Sequence, residues 1–227
     1  MTDEDRYAAV RQLKGLDGMD AAGWEKLPVR DASSAAIGYL RPFTEAMLAD
    51  DMLIRTMADA RTRHKEFFLT QFDVTPENKR EWLRESVLGN DRKMLFLVET
   101  LDGRIVGQDG FTLLGGGIFA LDGTMRWARG GHTRLFERSA VARAGFCFGA
   151  LDCLLCRVEL FLKNELGIYN VEHIGFSFEA EYPLCVTEKD GRIAYSKTSP
   201  GCENTDERLV SMTMTREAFA GLHGNFP

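Results

Sequence analysis

RVELFLKNELGIYNVEHIGF, residues 157–176, changes its hydrophobic period twice, and the rest of the chain is read outward from those changes. Arg157–Leu162 alternates, with Val158, Leu160 and Leu162 on one face, so it reads as a strand. Asn164 then stands where a helix cap belongs, and Asn164–His173 reads as a short helix. Gly175-Phe-Ser-Phe178 opens a further strand.

Upstream lies a strongly periodic helix, in which Phe136, Ala140, Ala144, Phe148, Leu151 and Leu155 recur three or four residues apart. A loop, Ala128–Arg134, precedes it. Before the loop, Ile118–Trp127 is extended, with a break expected at Asp122-Gly123. Met94–Thr100 and Arg104–Leu114 form a hairpin around Asp102-Gly103. Gly107 inside its second strand predicts a bulge or a close backbone approach. Thr75 caps a helix that starts at Pro76 and buries Trp82, Leu83 and Val87. Thr44 caps an earlier one to about Asp59, with Met47, Leu48, Met52, Leu53 and Met57 on one side. Ile37–Phe43 is a strand stopped by Pro42. Residues 1–35 read as an N-terminal arm with helical signals at Tyr7–Leu13 and Ala21–Leu27, leaving 36–227 as the main domain. Downstream, Glu188–Gly191 turns the chain back, Leu209–Thr215 is a last strand, and Thr215 caps a closing helix through Leu222. The order describes an α/β domain with a mixed sheet.

At 227 residues and 44% hydrophobic, the chain can build a core without metal or disulfides. Its 28 basic against 34 acidic residues, net −6, argue against a nucleic-acid partner. No apolar run reaches the roughly 20 residues that cross a bilayer. With no signal-peptide pattern either, the expectation is a cytoplasmic protein without a membrane partner. Five cysteines at irregular spacing make a poor disulfide framework. Cys153-Leu-Leu-Cys156 reads as buried packing, and the four histidines do not pair at ligand spacing, so no metal site is expected.

This succession resembles the Gcn5-related N-acetyltransferase (GNAT) fold, a mixed and mostly antiparallel sheet flanked by helices, over roughly residues 37–215. Leu40-Arg-Pro-Phe-Thr-Glu45 is similar to its opening strand and first helix. Phe67–Glu77, Trp82-Leu83, Phe96–Glu99 and Asp102–Gly107 resemble the second helix and following hairpin of GNATs that acetylate amino sugars on nucleotides. Arg157–Asn164 through Ile174-Gly-Phe176 resembles the family's strand–Asn–helix–Gly-Phe module. The resemblance implies transfer of an acetyl or other acyl group from acetyl-CoA to a small-molecule primary amine, with a nucleotide-linked amino sugar as the narrower acceptor. It places the pantetheine arm between two splayed strands and the pyrophosphate on the amides of the loop that opens the long helix.

The residues of that loop agree in part. Between positions 126 and 138, Arg126, Arg129, Arg134 and Arg138 face only Glu137, a local +3. Gly130 and Gly131 let the backbone come close to an anion at a helix start. An ordinary charged turn is the alternative. The family loop has a glycine where Arg129 stands, whereas Gly131 fits its last position. Asn164 matches the position that bonds pantetheine, and it also reads as a plain helix cap. The family tyrosine that protonates the leaving thiolate falls on Val171, which leaves Tyr169 as the substitute. Glu159 is the base candidate, beside Asp122 and His132 near the cleft. Phe67 and Gln71 border the acceptor side, with core packing the alternative for Phe67. Two other functions stay open: a non-catalytic scaffold binding an anionic ligand or protein partner, and an acyltransferase with a non-CoA donor or a modified nucleobase acceptor. Exposed Phe and Met residues would supply the face of a homodimer, which the pattern does not locate.

Overall fold

A computed structural model describes residues 1–15, 26–197 and 203–224. Its elements are α1 (Asp3–Leu13), β1 (Leu27–Arg30), β2 (Ala36–Pro42), α2 (Asp51–Arg63), β3 (Thr70–Gln71), α3 (Pro76–Trp82), β4 (Lys93–Thr100), β5 (Ile105–Gly115), β6 (Ile118–Arg126), α4 (Leu135–Gly149), β7 (Leu155–Phe161), α5 (Glu165–His173), β8 (Ser177–Lys189), β9 (Arg192–Lys197), β10 (Glu203–Thr215) and α6 (Arg216–His223). The strands form one sheet in the order β1-β2-β4-β5-β6-β7-β10-β8-β9-β3. Neighbours are antiparallel except β6 and β7, which run parallel, so the sheet is mixed and mostly antiparallel as expected.

Local chemistry accounts for most boundaries. Thr75 and Thr215 accept the amides of Asn78 and Ala218 as N-caps. Asn164 does the same for Gly167. Asp102-Gly103 turns the β4–β5 hairpin, Gly103 taking a φ of 83° that suits glycine. One sheet face packs on α1, α4 and α6 through Phe111, Phe119, Phe148 and Phe219, with Phe119 and Phe148 edge-to-face at 5.0 Å. Each such buried ring contributes roughly 1.5–3 kcal/mol. The other face meets α2 and the π-helical segment Leu83–Leu88 that continues α3, through Leu53, Ile54, Met57, Leu83, Val87, Leu95 and Leu97.

Four expectations change. The helix drawn from Thr44 to Asp59 is a short 3₁₀ turn, Glu45–Ala49, followed by α2, because Asp50 caps Leu53 and restarts the helix; Met52 is then 79% exposed. The long helix ends at Gly149, and Leu155 opens β7, since Asp152 takes a positive φ that turns the chain. Leu162 lies beyond β7 and is exposed, while Phe161 is buried on the opposite face. Leu27, read as the end of a helix, starts the edge strand β1, where Pro28 needs no inner partner; the rest of the Ala21–Leu27 expectation lies outside the described residues. Cys147, Cys153 and Cys156 are free and buried, with burial raising each thiol, which fits packing, whereas Cys185 is disulfide-bonded.

Candidate active site

The parallel pair β6–β7 carries only three rungs, Ile118↔Leu155, Phe119↔Cys156 and Ala120↔Arg157. Beyond them β6 keeps its pairing to β5 and β7 its pairing to β10, and the two part. The register of β5 and β6 slips between Gln108 and Gly110, where Gly123 has a φ of 68°, a bulge at the expected break. A buried arginine holds this bend. Arg143 of α4 pairs with Asp109 at 3.2 Å, donates to the carbonyl oxygens of Gly110 and Asp122, and reaches the Thr124 hydroxyl at 3.3 Å. Ser139 donates to the other Asp109 oxygen. The guanidinium therefore serves carbonyls on both strands at the bend. Gly107 proves to be a close approach: a Cβ there would lie 2.3 Å from the Phe136 ring.

From the end of β6, Trp127 and Ala128 donate to Val106 O, tying the loop to β5. Among the described residues the amides of Gly130, Gly131, His132 and Thr133 then find no acceptor. Gly131, with φ 71°, admits no side chain, since a Cβ would lie 2.7 Å from Thr100 Cγ2. Arg129 has an ordinary φ, so the arginine at that position brings no strain. Its side chain is exposed and has no partner among the described residues. Arg126 donates to Ala128 O and Gly130 O and shapes the loop. Arg134 holds Glu137 in a bidentate pair and keeps that carboxyl below its usual range. Free amides, a helix start and an uncommitted arginine fit a pyrophosphate.

The remaining expected residues are not all in one place. Asn164 Oδ1 accepts Gly167 N–H at 3.1 Å, and its amide nitrogen keeps its protons free among the described residues. Tyr169 is 55% exposed and stacks on His173 at 3.8 Å, while Val171 packs against the core. Glu159 lies two residues past the last β6–β7 rung, its Oε1 2.8 Å from Lys197 Nζ. Asp122 lies two past the rung on the other strand; its Oδ2 takes Lys93 at 3.0 Å and Thr112 at 2.6 Å, and its buried Oδ1 takes nothing. Phe67 is 41% exposed, which excludes core packing, and Gln71 belongs to β3. β3 pairs with β9, so the segment from α2 to α3 crosses from the β4–β5 side to the far sheet edge, over the face that carries Asp122 and Glu159. Lys79, buried beside Trp82, was missed; its position three residues before Trp82, on the apolar stripe of α3, was the available signal.

No family model and no curated protein matches the chain. Solved structures do. A GCN5-related N-acetyltransferase from Brucella melitensis is 13% identical over 88% of this chain and 86% of its own, with a TM-score of 0.63. A spermidine N-acetyltransferase from Vibrio cholerae, solved with CoA and spermine, is 13% identical over 81% and 98%, with a TM-score of 0.55. The nucleotide-linked sugar GNAT FdhC is 12% identical over 82% and 90%, with a TM-score of 0.57. At such identities the likeness is one of fold.

Proposed function

We propose that this GNAT-fold chain is an N-acyltransferase, moving an acetyl or other acyl group from a CoA thioester to the primary amine of a small molecule. One observation carries the reading: the loop amides at residues 130–133 lack acceptors at the mouth of a parallel strand pair that separates after three rungs. A pyrophosphate satisfies those amides together with Arg129, and the free edges of β6 and β7 suit the amides of a pantetheine arm. Asn164 Nδ2 supplies one further donor to it.

In the reaction the N–C bond forms as the C–S bond breaks. One proton leaves the nitrogen and one reaches the sulfur. We assign the first to the carboxylates flanking the gap. Each is paired with a lysine through one oxygen, Glu159 with Lys197 and Asp122 with Lys93; we place Asp122 first because its second oxygen is buried and lacks a partner. Tyr169 is the phenol we assign to the thiolate. The acceptor enters under the α2–α3 crossing, past Phe67 and Gln71, and a nucleotide-linked amino sugar is the narrower proposal for it.

Release of the CoA thiol from acetyl-CoA, measured against a panel of amines, tests this reading. A amine-dependent release, reduced about 10²–10⁴-fold by Asp122→Asn and less by Glu159→Gln, supports it. Tyr169→Phe should lower kcat and leave CoA affinity intact. A CoA complex with no turnover on any amine would favour the scaffold reading, to which the inward Val171 already points.

A further inference from the structure

Three cations meet on the α2/α3 face with little counter-charge from the protein. Lys79 is 4% exposed, its Nζ 4.2 Å from the centre of the Trp82 ring, and it has no hydrogen bond or ion pair among the described residues. Lys93 Nζ reaches the same indole at 5.6 Å and Asp122 Oδ2 at 3.0 Å. Arg61 lies over the Phe68 ring at 3.7 Å and donates through Nη2 to Thr70 O at 2.6 Å, while its Nη1 is buried with no acceptor. Burial, then the nearby Arg61 and Lys93 charges, push Lys79 down to about 7; burial alone brings Arg61 to about 10. A guanidinium nitrogen is thus taken out of water without a partner, and an unpartnered ammonium sits on a lysine that is nearly all buried, which is costly unless something else supplies them. The cluster is not sealed, because the side chains of Lys93 and Asp122 stay 21% and 30% exposed.

We propose that Arg61, Lys79 and Lys93, walled by Trp82 and Phe68, bind the anionic group of the acceptor amine, a carboxylate or a phosphate. Calling the ligand the acceptor rests on the acyl-transfer reading; binding of the anion does not. Asp122 bonds Lys93, so the anion and the reacting nitrogen lie on neighbouring groups, and the acceptor carries both charges close together. A polyamine brings only positive charge to this cluster and is disfavoured.

The test is calorimetric titration with inorganic phosphate and, separately, acetate. It is run with saturating CoA to fill the loop, and again without CoA in an Arg129→Ala/Arg134→Ala background. Binding near the millimolar range, weakened at least tenfold by Lys79→Met and largely kept by Lys79→Arg, is expected. Binding at neutral pH should also draw a proton onto the protein, seen as a buffer-dependent heat that Lys79→Met abolishes. The tighter of the two anions identifies a phosphate- or carboxylate-bearing acceptor. If Lys79→Met fails to fold, Arg61→Met serves in its place. Equal affinity in wild type and variant, or no binding of either anion, overturns the proposal. If the anion binds and no amine is acylated, the catalytic reading fails and the site stands. If anionic amines are turned over with a KM unchanged by Lys79→Met, the site fails and the catalytic reading stands.

Discussion

Lys79 spends stability to keep an amine where an apolar side chain would pack better. Lys79→Met should therefore stabilise the protein, by about 1–4 kcal/mol on the scale of buried charges replaced by apolar groups. At roughly 2–4 °C per kcal/mol this is readable in a thermal melt. The pH dependence follows from the depressed pKa. In the unfolded chain the lysine holds its proton to its usual value, whereas in the fold it gives it up near 7. Between about 7 and 10 the unfolded state binds more protons, so stability rises with pH there, and the penalty is full and constant below 7. Lys79→Met should remove much of that rise, leaving the part due to Lys14, which burial lowers to about 8. At the loop, Gly131→Ala should cost CoA affinity, because a Cβ collides with Thr100 and Leu135 at a positive φ. Departures from the family pattern were legible where spacing alone decides. Val171 at the tyrosine position and Arg129 at the glycine position are visible by counting. Asn164 proves to be a helix cap through its oxygen, and its nitrogen is left for the pantetheine contact we propose. Lys79 was harder, because a lysine in a helix defaults to the solvent face.

The β6 bulge is the element that makes a cleft out of a sheet. Asp122-Gly123 announced a break in the sequence, but nothing local announced Arg143, a charge in a helix whose burial depends on Asp109 two elements away. Arg143→Met leaves Asp109 buried without its cation and should cost about 3–5 kcal/mol in denaturant unfolding. Adding Asp109→Leu should recover much of that loss, because the unpaired charge goes with it. A single substitution costing less than about 1 kcal/mol would mean the pair does not hold the bulge. The same dependence on context shortened two helices. The periodicity of residues 136–155 runs through Gly149 because Leu151 faces the core from the turn as it would from a helix, whereas Leu155, half-buried at the start of β7, lies on the face opposite the buried Cys156 and Val158. Asp50 splits the earlier helix by capping, a choice between two acceptable caps that propensity does not settle.

Across the whole molecule, element order was readable because each strand and helix carries its own period and stop signals. Three tertiary devices were not. Lys14 at the end of α1 donates to Val87 O and Asn90 O, closing the last turn of the helix that continues α3. β1 adds an edge strand, and the two-residue β3 ties the α2–α3 segment to β9. A pairing that short leaves no pattern in sequence. If the segment roofs the acceptor path, Phe67→Ala should raise the acceptor KM and leave CoA affinity unchanged. Titrating CoA into the purified chain shows whether the parted strands and the loop at residues 129–133 receive a CoA thioester. At 100 times its Kd a ligand of the native state alone adds about 2.7 kcal/mol of stability. One site per chain is expected, weakened at least tenfold by Arg129→Ala/Arg134→Ala. No heat and no thermal shift at millimolar CoA, or binding indifferent to both arginines, would contradict it.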